Sequence, residues 1–148
     1  MSNEKLSFLD KYVKGKGLVK PNRKAFIVDP DAIRSIFQEM INNLGYEGFY
    51  LSTIVATDLK DENKIRLDYY VVILPEEETI ALRTYLPRES PKISSIIDLV
   101  PGALAGECEA HDLVGVVFEG NPHLKRGFFA SDNVVEAGEY PLRKDSKV

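Results

Sequence analysis

"FYLSTIVATDLKDENKIRLDYYVVILPEEETIALRTYLP", residues 49–87, decides the fold. It divides into three runs rich in β-branched and aromatic residues: FYLSTIVATD (49–58), KIRLDYYVVIL (64–74) and TIALRTYLP (79–87). Such composition predicts strands. Their separators, LKDENK and PEEE, are polar and short, which predicts antiparallel neighbours. Upstream, DPDAIRSIFQEMINNLG (29–45) reads as a helix with Asp29 as N-cap, Pro30 in the first helical position and Gly45 as the stop. Its apolar residues, Ile33, Ile36, Phe37, Met40, Ile41 and Leu44, form one stripe, as a helix lying on a single surface requires. AFIVD (25–29) before it reads as a short strand. A helix followed by a three-stranded meander predicts an α+β fold, the helix packed on a mainly antiparallel sheet.

Beyond residue 87 the pattern breaks at PRESPK, and ISSIIDLV and PGALAGECEAHDLVG read as two short helices, Pro101 suiting a start and Gly115 a stop. From Val116 onward no period is sustained, which predicts an extended C-terminal tail wrapping its own domain or another subunit. At 148 residues and 44% hydrophobic content the chain suits one core. The expected organisation is a basic segment 1–24, an α+β domain 25–115 and a docking tail 116–148 within the same single domain.

The net charge of -4 argues against a general nucleic-acid binder, because neutralising phosphates needs a basic surface. Charge is uneven: residues 1–24 carry seven Lys or Arg against Glu4 and Asp10, a net +5. Such an end either docks on an acidic partner or anionic lipid, or is a solvated terminus. Cys108 is the only cysteine, so this chain alone forms no disulfide and holds neither a zinc ribbon nor an iron–sulfur cluster. The longest apolar runs, such as YYVVIL (69–74), fall far short of the ~20 residues that span a bilayer. A cytosolic chain, or one held to a membrane only through partners, is expected.

GECEAHDLVGVVFEGNPHLKRG (106–127) gathers Glu107, Cys108, Glu109, His111 and Asp112, and then His123. On a helix, i and i+2 diverge by ~160°, so Glu107 and Glu109 cannot flank one bond as an acid/base pair would. Glu107 can face His111, and Cys108 can face Asp112, but each pair gives two metal ligands where a site needs three or four. The bland reading makes His111 a half-buried imidazole bonded to Glu107 and Cys108 a small core residue. A metal-dependent hydrolase using Glu107 and His111 is the sharper alternative.

The spacing of ECEAHDLVGVVFEGNPHLKRG resembles the E-R-E-x-x-D-x-x-G-x-x-F-x-G-H-P-x-L-x-R signature of the C-type, or thirty-kilodalton, subunit of respiratory complex I. Glu107, Glu109, Asp112, Gly115, Phe118, Gly120, Pro122, Leu124 and Arg126 fall in register. GEYPLRKD (138–145) is similar to that family's C-terminal element, bringing in Pro141, Leu142, Arg143, Lys144 and Asp145. PKISSIIDLVPGALAGE (91–107) resembles its upstream stretch. Cys108 stands where the family has the arginine of E-R-E, Asn121 where it has the histidine of G-H-P, and the family's tryptophan before E-R-E is absent. These departures resemble the branch found in membrane-bound energy-converting hydrogenases and related archaeal oxidoreductases.

The resemblance implies a subunit without cofactor, metal or catalytic residues of its own. It implies a place in the cytoplasmic arm, peripheral to the cell membrane, beside the hydrogenase-large-like (D-type) subunit and neighbouring iron–sulfur subunits. The charged cluster then becomes an assembly element, in which Glu107 and Glu109 pair with Arg126, Arg143 or Lys144 or with a partner, and Gly115, Gly120 and Pro122 set the turns into the tail. A free-standing protein-binding module remains the alternative.

Overall fold

The computed structural model describes residues 4–19, 23–127 and 135–144. A 3-10 turn (Glu4–Leu9) leads into β1 (Gly15–Val19) and β2 (Arg23–Ile27), then α1 (Ile33–Leu44). The 49–87 stretch forms β3 (Phe49–Leu59), β4 (Lys64–Ile73) and β5 (Glu78–Pro87), and β6 (Lys92–Ser94), α2 (Leu104–Val114) and β7 (Val117–Glu119) complete the described elements. The large sheet has the order β1-β2-β5-β4-β3, and β6 pairs with β7 in a small second sheet. Within the large sheet, β2 and β5 run parallel and the other neighbours antiparallel. This is an α+β fold on a mixed, mainly antiparallel sheet. The chain leaves β2 through α1, enters the sheet again at its far edge as β3, and returns through the meander to lie beside β2.

The core follows from strand parity, since alternate side chains share a face. Across β4 and β5, Ile65 faces Leu86, Tyr69 faces Leu82 and Val71 faces Ile80, all buried. The α1 stripe of Ile33, Ile36, Phe37 and Met40 covers this face, with Phe37 ring centroids 5.7 Å from Tyr69 and 6.4 Å from Phe49. Burying such side chains contributes roughly 1.5–3 kcal/mol each. At the β3 edge α2 closes on the same face, where the space beside Gly106 is filled by Ile54.

Three sequence expectations are corrected. The helix of 29–45 begins as a 3-10 turn (Pro30–Ala32) with Asp29 at its N-cap and Pro30 first, as expected, but Asp29 makes no side-chain cap and its carboxylate pairs with Lys14, 2.7 Å away. ISSIIDLV is not a helix: Ile93 and Ser94 lie in β6, and Ser95 N donates to Glu119 O at 2.8 Å, so the backbone is satisfied across to the β7 segment. The basic segment is not merely a solvated terminus. Leu6 and Leu9 join the core, β1 forms the sheet edge, and Lys5 and Lys11 pair with Glu76 and Glu39 of the same chain. Among the described residues no helix is long and apolar enough to cross a membrane.

Candidate assembly site

Glu107 sits in the first turn of α2 and points into the protein, fully buried. One carboxylate oxygen accepts from Ser95 Oγ (2.6 Å) and Asn121 Nδ2 (2.8 Å), and the other from Ile96 N (2.9 Å). One side chain thus ties together the segment after β6, α2 and the turn after β7. Burial pushes its carboxyl above the usual range, and the three hydrogen bonds oppose that rise. The nearby Tyr69 phenol is raised well above its ordinary value, first by burial and then by the charge of Glu107. All three donors to Glu107 are neutral, which corrects its expected pairing with a basic group.

Asn121, in the histidine position of the family signature, uses both ends of its amide: Nδ2 on Glu107, and Oδ1 accepting His123 N at 2.8 Å. Cys108 is buried, its Sγ 3.8 Å from His123 O, as a core residue would be. Burial and then the charges of Glu107 and Asp112 push its thiol up, away from nucleophilic behaviour. His111 does not meet Glu107. Its Nδ1 donates to Val116 O at 2.9 Å, closing the C-terminal end of α2, because Glu107 is already engaged on the inner side. Among the described residues no group of three or more His, Cys, Asp or Glu is arranged to hold a metal ion.

Asp112 is also fully buried, and accepts from Arg126 Nε (3.0 Å) and Gly127 N (2.9 Å). Arg126 donates further to Glu139 O and lays its guanidinium 4.0 Å from the centroid of the Tyr140 ring. Gly115 has φ +93°, ends α2 by donating to Ala110 O and His111 O, and leaves the space where the Tyr140 ring lies. The turn that follows holds Gly120, with Asn121 N donating to Phe118 O (3.2 Å), then exposed Pro122 and Leu124 packed against the core.

The segment 138–144 lies back on its own domain. Leu142 N donates to Leu113 O at 2.8 Å, while the Leu142 side chain remains exposed. Pro141 is half-buried. Arg143 donates to Arg88 O at 3.3 Å, and Lys144 N donates to Asp58 Oδ2 at 2.6 Å. Asp58 is buried and also accepts from Arg88 through two bonds, 2.6 and 3.0 Å. The Arg88 guanidinium first, then the Lys144 amide, hold its carboxyl below the usual aspartate range against the cost of burial. Asp145 lies outside the described residues.

Arg126 and Arg143 are engaged elsewhere and the Lys144 ammonium is exposed, so none of the three meets Glu109 among the described residues, which corrects the intrachain pairing expected for it. Glu109 is half-buried and makes no bond among the described residues. Asp58 and Arg88 were missed by sequence reasoning. Asp58 shares strand parity with Ile54 and Ala56, so a carboxylate on the inward parity was the available signal. A cavity of about 730 Å³ lies elsewhere, between the 3-10 turn of Glu4–Leu9 and β1–β2, and none of the cluster residues lines it.

The comparisons agree with the family resemblance. The family model of the respiratory-chain NADH dehydrogenase, 30 Kd subunit, matches residues 26–148. The chain is 32% identical to the C-type subunit of NADH-quinone oxidoreductase from Moorella thermoacetica, over 84% of this chain and 80% of that protein. It is 27% identical to the C-type subunit of F(420)H(2) dehydrogenase from Methanosarcina mazei, over 87% of this chain and 78% of that one. A chain of the membrane-bound sulfane sulfur reductase, an archaeal respiratory membrane complex, superposes with TM-score 0.78 at 27% identity, covering 96% of this chain and 82% of the other. The chain therefore belongs to the family of the respiratory-chain NADH dehydrogenase 30 Kd subunit, subunits of complex-I-like oxidoreductases.

Proposed function

We propose that the chain is a non-catalytic assembly subunit in the cytoplasmic arm of a complex-I-like membrane-bound oxidoreductase or energy-converting hydrogenase. It docks on the hydrogenase-large-like (D-type) subunit, beside the iron–sulfur subunits, and is held to the membrane only through them. The observation that carries this reading is how the carboxylates of the signature are used. Glu107 and Asp112 are buried and saturated by donors of their own chain, so they shape segments and do not converge on a substrate.

Glu109 and the outward parts of the tail are left for a neighbour. Leu142 presents an exposed apolar side chain and Lys144 an exposed ammonium, while their backbone amides anchor the segment at Leu113 and Asp58. A rigidly anchored segment loses less freedom on docking. The test is recovery of partner chains with a tagged copy from solubilised membranes. A hydrogenase-large-like chain is expected with the unmodified protein and much less of it with Glu109→Lys, at unchanged thermal stability. Recovery of the tagged chain alone, or normal recovery with the variant, would overturn the docking assignment.

A further inference from the structure

The described helices cover one face of the large sheet, and the opposite face has its own chemistry. At its centre Asp68, almost fully buried, is gripped by Arg83 through bonds of 2.7 and 3.3 Å and flanked by Arg66 at 3.4 Å. On either side a cation lies over a tyrosine ring: Arg23 over Tyr70 at 6.0 Å and Lys64 over Tyr85 at 5.5 Å. Toward the β3 edge Tyr50 and Val55 are 50% and 39% exposed. The register places these residues on one side, with Val55 opposite Asp68, Asp68 opposite Arg83 and Arg66 opposite Tyr85.

Four cations (Arg23, Lys64, Arg66, Arg83) against one carboxylate (Asp68) give this face +3, in a chain whose net charge is -4. Tyrosine and arginine are the residues enriched where protein surfaces bind tightly. Ion pairing and ring stacking also hold these side chains in place before any partner arrives.

We propose that this helix-free face is a docking surface for an acidic surface on a neighbouring protein subunit of the same assembly. The inference rests on the assembly reading and adds a surface distinct from the cluster and tail. Charge selects the occupant. A second copy would set two +3 faces against each other. A nucleic-acid strand crossing the sheet would meet exposed Asp61 and Glu62 at one end and Glu76 and Glu77 at the other.

The experiment uses the complex purified through the tagged full-length chain, with a photoreactive benzoylphenylalanine in place of Tyr50 or, separately, of Val55. Illumination is expected to join this chain to another subunit of the complex, through a peptide carrying Asp or Glu. The double variant R23E/K64E, two exposed cations, is expected to lower recovery of the complex at least fivefold with an unchanged melting temperature. A complex that purifies without adduct, an adduct to a second copy or to nucleic acid, or normal recovery of the double variant would overturn the proposal alone. Failure of the unmodified chain to bring down any subunit would defeat the assembly reading and this one with it.

Discussion

Asp58 is the residue through which the tail reaches the sheet, and its chemistry gives a pH signature. Its carboxyl is held below the ordinary aspartate range, chiefly by Arg88. The unfolded state therefore binds the proton more readily, so the stabilisation is present above about pH 4 and is lost as pH falls through the folded value. Asp58→Asn should cost about 2–4 kcal/mol at pH 7 by leaving Arg88 without its carboxylate. In urea titrations the gap between wild type and variant should narrow as pH drops toward 3. A gap independent of pH would refute the ionic account.

Glu107 has the opposite sign, because burial raises its carboxyl. The folded state then holds the proton more tightly, and ionisation destabilises as pH rises from about 4 through the folded value. Placing a second acid against it sharpens this effect. Asn121→Asp should destabilise by about 2–5 kcal/mol at pH 7 and recover much of that on acidification, when one carboxyl keeps a proton. Asn121→His, the residue of the family signature, should cost under about 1 kcal/mol if its ring N–H replaces the amide donor. Equal losses for both variants would show that shape, and not hydrogen bonding to Glu107, governs position 121. The sequence made the presence of charge at 107–112 legible but not its partners, because Ser95 and Ile96 come from a segment read as helix.

Among elements, α1 was legible from its long apolar stripe, and the strands of 49–87 from their β-branched and aromatic composition between short polar separators. The element at 92–94 was not, since a short apolar run fits a buried helix or a strand equally well. Its pairing with 117–119 is a non-local choice, as is the parallel contact of β2 with β5. β1 was hidden by its composition, GKGLV, which suits an edge strand guarded by lysine and glycine better than a strand propensity scale would suggest. The placement of α2 depends on one small residue. A Cβ at Gly106 would lie 3.1 Å from Ile54, so Gly106→Val should force α2 outward, costing about 1–3 kcal/mol and straining the Glu107 bonds. Adding Ile54→Ala should restore part of that loss, measured by chemical denaturation. If the double variant is no more stable than the sum of the single effects predicts, the helix is not seated by this contact.

At the scale of the molecule, the tail bears on both stability and assembly, and these can be separated. None of residues 135–144 belongs to the hydrophobic core, so removing 137–148 should leave a cooperative fold. It would also delete the bonds from Leu142 N to Leu113, from Arg143 to Arg88 O, from Lys144 N to Asp58 and from Arg126 to Glu139 O, and the Tyr140 ring beside Arg126. Such contacts are worth about 2–4 kcal/mol together, a fall of about five to fifteen degrees in melting temperature. Truncation therefore confounds stability with docking. Lys144→Glu does not, because the anchoring bond to Asp58 comes from the backbone amide and the exposed side chain contributes none. Lys144→Glu should lower the melting temperature by no more than a few degrees, the new carboxylate lying near Asp58, Asp61 and Glu62, while recovery of the complex from membranes falls tenfold or more, the size expected when like charges are set against each other. Normal recovery with Lys144→Glu, together with loss on truncation, would mean that the tail serves only to brace its own domain.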